Sequence, residues 1–167
     1  MILDTNAISA WCDGDSALLC ALPADRPLFL PAIVIGEYLF GIKVARDRKA
    51  RETWLAEVEA AVTVLDVNSG TARHYADVRE ELRKARTPIP ENDLWIAALA
   101  RQHELPVVTR DTHFDRIPDL RVCTESPFST QRRGGEVRGT QRKKGQSLCG
   151  TLCFPPRLCG KKTAVHD

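Results

Sequence analysis

The chain has 167 residues, 43% of them hydrophobic and 28% charged, with a formal net charge of +2. That length suits one domain with its own core and is short for two, and the composition is that of a globular chain, not a disordered or membrane one. No stretch approaches the roughly 20 consecutive apolar residues that a membrane helix needs, and Asp4 follows Met1 too closely for a secretory apolar region, so a cytoplasmic protein without membrane contact is expected.

Ile2 and Leu3 form a short apolar strand ending at Asp4, and Thr5-Asn6 supplies capping chemistry for a helix through Ala7, Ile8 and Trp11. Leu28-Phe29-Leu30 reads as a second strand. Pro31 suits the first position of a helix, where its missing N–H costs nothing, and that helix is expected to run through Ile33, Val34, Glu37, Tyr38 and Phe40 into the basic stretch Lys43 to Arg51. Trp54, Leu55, Val58 and Ala61 recur at helical spacing and predict a further helix over Ala50 to Ala61. Val62 to Val67 is apolar and β-branched enough for a third strand, and Ser69 is placed to cap a helix from Gly70 to Arg86, whose basic end suits the negative helix pole.

Thr87 to Pro90 is a proline-punctuated loop, after which Glu91 or Asn92 opens a helix over Asp93 to His103. Leu94, Ile96, Ala97, Ala98 and Leu99 crowd that helix with apolar positions and predict that it is largely buried. Pro106 to Thr109 is the fourth strand, Thr112 to Ile117 a short helical turn, and Leu120 to Cys123 the fifth strand. Strands alternating with helices predict an α/β fold with a mostly parallel five-stranded sheet flanked by helices.

The composition changes after Glu125. Ser126 to Asp167 carries nine Lys/Arg against two Asp/Glu and lacks helical or strand period, so residues 1–125 are expected to form the domain and 126–167 a basic, disordered tail. That tail reads either as an RNA-binding arm or as an adventitious extension. The body is left with −5, an unusual balance for a chain that would neutralise phosphates with Lys and Arg alone. Six cysteines are present, but Cys149, Cys153 and Cys159 lack the paired C-x2-C spacing of structural zinc, so ordinary reduced thiols are expected.

Five acids stand where this chain changes direction: Asp4, Glu37, Asp93, Asp111 and Asp115. In a parallel sheet the carboxyl ends of strands and the amino ends of helices share one edge, where ligands bind. Asp4, Asp93 and Asp111 are expected to converge there. Glu37 lies inside the apolar run Ile33 to Phe40, where a buried carboxylate requires a compensating cation, although an exposed stripe of the helix would explain it too. Carboxylates held close together repel unless a divalent cation neutralises them. Mg²⁺ or Mn²⁺ takes such hard oxygen ligands and can activate water for phosphodiester hydrolysis.

Met1-Ile2-Leu3-Asp4-Thr5-Asn6, Gly36-Glu37-Tyr38-Leu39-Phe40-Gly41, Asn92-Asp93-Leu94-Trp95-Ile96-Ala97-Ala98 and Val108-Thr109-Arg110-Asp111-Thr112-His113-Phe114-Asp115 resemble, in this order, the four motifs of PIN-domain ribonucleases, and the VapC toxins of bacterial toxin–antitoxin pairs in particular. The resemblance covers about Met1 to Cys123. It implies a PIN-like three-layer sandwich and a catalytic, metal-holding quartet of Asp4, Glu37, Asp93 and Asp111, with Asp4 and Asp93 foremost as direct ligands. Asn6 and Thr109 would be accessory residues orienting waters or carboxylates, and Asp115 either an accessory acid or a cap of the following turn. The implied activity is that of an Mg²⁺-dependent endoribonuclease, homodimeric, acting on RNA and silenced by a VapB-like antitoxin. His74, His103 and His113 read as surface or capping residues, since a metal that activates water makes an imidazole unnecessary. Two other readings compete: a PIN-like module that binds RNA or antitoxin without cutting, against which the complete acidic set argues, and a small-molecule phosphohydrolase. The second is weakened because Asp4-Thr5-Asn6 lacks a second aspartate and no Gly-rich phosphate loop is present.

Overall fold

A computed structural model describes residues 1–16, 18, 22 and 26–123 of the chain; the expected tail from Ser126 lies outside them. Five strands form one sheet in the order β3-β2-β1-β4-β5, where β1 is Ile2–Leu3, β2 Phe29–Pro31, β3 Thr63–Leu65, β4 Val107–Val108 and β5 Val122–Cys123. Every pairing is parallel, with Ile2 opposite Phe29 on one side and Val107 on the other. The "mostly parallel" expectation is therefore met in its strictest form.

The helices given by the described residues include α1 (Thr5–Cys12), α2 (Ala32–Gly41), α3 (Arg48–Ala61), α4 (Ser69–Ala85) and α5 (Glu91–Gln102), with 3₁₀ turns at Ile42–Val44 and Thr112–Arg116. The chain builds outward from β1 to β2 and β3, then returns past them to place β4 on the other side of β1. The right-handed crossovers general to parallel strands would set the helices before and after that reversal on opposite faces of the sheet. The crevice where the strand order reverses lies between β1 and β4, at their carboxyl ends.

Several local expectations are corrected. Pro31 does not begin the helix: it pairs with Leu65 in the sheet and caps α2 with extended backbone, φ −62° and ψ 140°. The helix that follows stops at Gly41 and does not reach Arg51, because the 3₁₀ turn Ile42–Val44 breaks it before α3 starts afresh at Arg48. The cap of α4 is Asn68, not Ser69, since its side chain accepts from Gly70 N at 2.8 Å and Thr71 N at 3.1 Å. Asp4, not the Thr5-Asn6 pair, caps α1.

The core forms where the sequence is densest in apolar residues. Ile2, Leu3, Leu30 and Val107 are fully buried in the sheet, and Leu94, Ile96, Ala97, Ala98, Leu99 and Ala100 are buried along α5. Each fully buried Leu or Ile contributes about 1.5–3 kcal/mol. Trp11, Tyr38 and Trp54 lock α1, α2 and α3 together, with Trp54 meeting each of the other two rings at 5.9 Å between centroids. That aromatic lock holds α1 and α2, and so Thr5 and Glu37, in fixed relation.

Candidate active site

Asp4 leaves β1 at the crevice and is only 4% exposed. Its carboxylate cannot rotate freely, because one oxygen accepts from Thr5 N at 2.6 Å and the other from Thr109 Oγ1 at 2.6 Å. Thr109 follows β4, so this second bond spans the two strands that flank the reversal. Thr109 is itself buried, and its hydroxyl also accepts from Asp111 N at 2.9 Å. One hydroxyl thus donates to the first acid and accepts from the backbone amide of the last.

Glu37 is half-buried on the crevice side of α2, between the two expectations for it. Thr5 Oγ1 of α1 donates to its Oε2 and Asn92 Nδ2 of α5 to its Oε1. Both carboxylate oxygens are therefore held by neutral donors from two different helices. Asp93, the residue after Asn92, sits in the first turn of α5. Asp111 caps the turn Thr112–Arg116 by accepting from His113 N at 2.9 Å.

Electrostatics tie these acids into one site. Burial raises the Asp4 carboxyl above its ordinary range against the pull of its hydrogen bonds to Thr109 and Thr5, and Glu37 and Asp111 push it the same way. Asp93 is pushed up to about 6, first by burial, then by the charges of Asp4 and Asp111, with His113 opposing. Such repulsion is relieved by a divalent cation. The donor set fits one, because an oxygen of Asp93, an oxygen of Asp111 and a ring nitrogen of His113 lie within 4.8 Å of one another.

The structure thus brings Asp4, Glu37, Asp93, Asp111 and Thr109 together. Asn6 is exposed on the first turn of α1, and Asp115 is exposed in a turn whose cap is Asp111. Two residues escape a reading of the sequence. Asn92 is legible there as a residue that can open α5 beside Asp93, yet it reaches back to Glu37. His113 differs from the surface or capping residue expected, since its half-buried ring places Nδ1 3.2 Å from Asp93 Oδ2 and 3.0 Å from Asp111 Oδ1. Its signal is its position two residues after Asp111.

A parallel sheet with carboxylates gathered at its switch point is an arrangement of metal-assisted phosphoryl chemistry. A family model described as PIN domain matches residues 1–120, and the chain belongs to that family. Within it the likeness is to VapC ribonucleases. The chain is 34% identical over 128 residues to "Ribonuclease VapC" of Rickettsia bellii (strain RML369-C), an alignment covering 74% of this chain and 95% of that protein. It is 32% identical over 115 residues to "Ribonuclease VapC5" of Mycobacterium tuberculosis (strain ATCC 25618 / H37Rv), covering 68% and 84%. Among solved structures, DNA-bound VapBC from Salmonella typhimurium superposes with a TM-score of 0.66 at 26% identity, covering 75% of this chain and 97% of that one.

Proposed function

We propose that this chain is an endoribonuclease toxin that hydrolyses RNA phosphodiester bonds with Mg²⁺, Mn²⁺ serving as a substitute, and that a VapB-like antitoxin neutralises it. The observation that carries the reading is the convergence of Asp4, Glu37, Asp93 and Asp111 from four separate elements onto one crevice, with the carboxyls of Asp4 and Asp93 raised by burial and by their acidic neighbours. Membership of the PIN family and likeness to ribonucleases named VapC support it. A homodimeric cytoplasmic protein is the matching expectation; among the described residues, no helix is long and apolar enough to cross a membrane.

Asp4, Asp93 and Asp111 would hold the cation, which supplies activation of water and neutralisation of phosphate charge when bound. The chain's own residues provide fixed geometry. Thr109 and the Thr5 amide keep Asp4 in one orientation, so little reorganisation is needed when substrate arrives. Thr5 and Asn92 hold Glu37 at the rim, where its remaining lone pairs can accept from water or from a ribose hydroxyl. An acidic body can handle RNA in this way because the cation supplies positive charge at the cut.

Asp4→Asn keeps the shape of the side chain and removes its charge. The expected result is loss of RNA cleavage with the circular-dichroism spectrum and melting transition retained. Cleavage at the wild-type rate by folded Asp4→Asn protein would remove Asp4 from the mechanism.

A further inference from the structure

His113 is the group in the crevice that an all-carboxylate account leaves without a task. Its backbone N–H donates to Asp111 Oδ1, which fixes the start of the turn Thr112–Arg116 and with it the ring. Nδ1 then faces two carboxylate oxygens at once, Asp111 Oδ1 at 3.0 Å and Asp93 Oδ2 at 3.2 Å. A neutral imidazole offers each ring nitrogen as either a donor or an acceptor. If Nδ1 is the acceptor, three sets of lone pairs converge on one small volume, and a cation is what such a volume accommodates.

The spacing fits a shared cation as well as it fits a hydrogen bond between Nδ1 and Asp93 Oδ2. With ligands about 2.1 Å from a six-coordinate cation, neighbouring ligand atoms stand about 3.0 Å apart. The two observed separations from Nδ1, 3.0 and 3.2 Å, match adjacent corners of such a shell. The side chains of His113, Asp111 and Asp93 are 33%, 28% and 14% exposed, so the group is open enough for an ion and its remaining waters to enter from the crevice.

We propose that His113 Nδ1 is a protein ligand to the cation beside Asp93 and Asp111, which makes this a mixed nitrogen–oxygen site whose Mn²⁺-to-Mg²⁺ affinity ratio is higher than that of an all-oxygen site. The proposal rests on the reading of the crevice as a metal site and adds to it a specific ligand and a consequence for metal choice. Oxygen ligands suit both ions, but an imidazole nitrogen adds more to the affinity of Mn²⁺, the first ion of the transition series, than to that of Mg²⁺.

The test is pulsed electron paramagnetic resonance on the full, tag-free chain loaded with one equivalent of Mn²⁺. The expected signal is a ¹⁴N coupling from a bound imidazole, replaced by a ¹⁵N pattern when the protein is labelled with ¹⁵N-histidine. The sequence has four histidines, so the triple variant His74→Gln, His103→Gln, His166→Gln keeps only His113 and should keep the coupling. His113→Gln should lose it, and titration calorimetry with Mn²⁺ and Mg²⁺ should show the Mn²⁺-to-Mg²⁺ affinity ratio falling about tenfold. A histidine that only positions the two aspartates would give no nitrogen coupling. Mn²⁺ bound without histidine coupling, or coupling lost in the triple variant, would overturn the ligand assignment and leave a carboxylate metal site standing. Failure of wild-type protein to bind Mn²⁺ at all would overturn both.

Discussion

Replacing Asp93 by Asn in metal-free protein is expected to stabilise the fold while abolishing RNA cleavage. Asp93 has its folded-state pKa raised from 3.8 to about 6 by burial and by Asp4 and Asp111. For a group raised in this direction, the folded state holds the proton more tightly than the unfolded state. Its contribution is present in full below about pH 3.8 and is lost as pH rises through about 6. Converted directly, the shift is about 3 kcal/mol, and screening in a crevice open to water reduces it to about 1–2 kcal/mol. Asn carries no charge at any pH and escapes that penalty. Melting curves in EDTA should therefore place Asp93→Asn roughly 3–8 °C above wild type at pH 8, with the gain shrinking as pH falls towards 4. An Asn variant no more stable than wild type at pH 8 in EDTA would refute the claim that burial and a net negative field act on Asp93.

Three further substitutions or truncations test the parts around it. Thr109→Val keeps volume but leaves a buried Asp4 oxygen and the Asp111 amide without their partner; a loss of about 1–3 kcal/mol is expected by chemical denaturation, together with slower cleavage. Asn92→Ala removes a donor to Glu37 from an exposed position. Stability should change by no more than about 0.5 kcal/mol, while single-turnover cleavage slows by about 10–100-fold, the range for losing a residue that orients a ligand. Removal of residues 126–167 should leave melting and cleavage as they are, and a weaker RNA affinity in gel-shift titrations would instead make the basic segment an RNA-binding arm.

Element order is readable because the sheet is short and buried. Ile2-Leu3, Phe29-Leu30 and Val107-Val108 are apolar on both faces, as parallel strands covered by helices must be. The density of Leu94 to Leu99 announces a buried α5 for the same reason. Boundaries are less legible where backbone pairing overrides local preference. Pro31 looks like the start of a helix, yet it lacks only an N–H, so it can still end a strand by pairing with Leu65. Asn68 and Ser69 are both good caps, and which one acts depends on where the backbone turns.

The acids of the site can be read from position, because each follows a strand or lies on a helix that starts from the same sheet edge. What cannot be read is which neutral groups hold them. Asn92 and Thr5 meet on Glu37 only because α1, α2 and α5 converge at the switch point, a long-range consequence of strand order. His113 is unnecessary as a base once a metal activates water, but an imidazole can also bind metal, and only the fold turns its ring towards two carboxylates.

Under the proposed function, the carboxylate crevice cuts RNA with the help of a divalent cation. Purified protein incubated with total cellular RNA in Mg²⁺ or in EDTA, followed by mapping of new RNA ends, tests it most directly. Discrete new ends are expected with Mg²⁺ and wild-type protein, and none with EDTA or with Asp4→Asn. The same ends appearing in EDTA, or in equal amount from the Asp4→Asn protein, would contradict it.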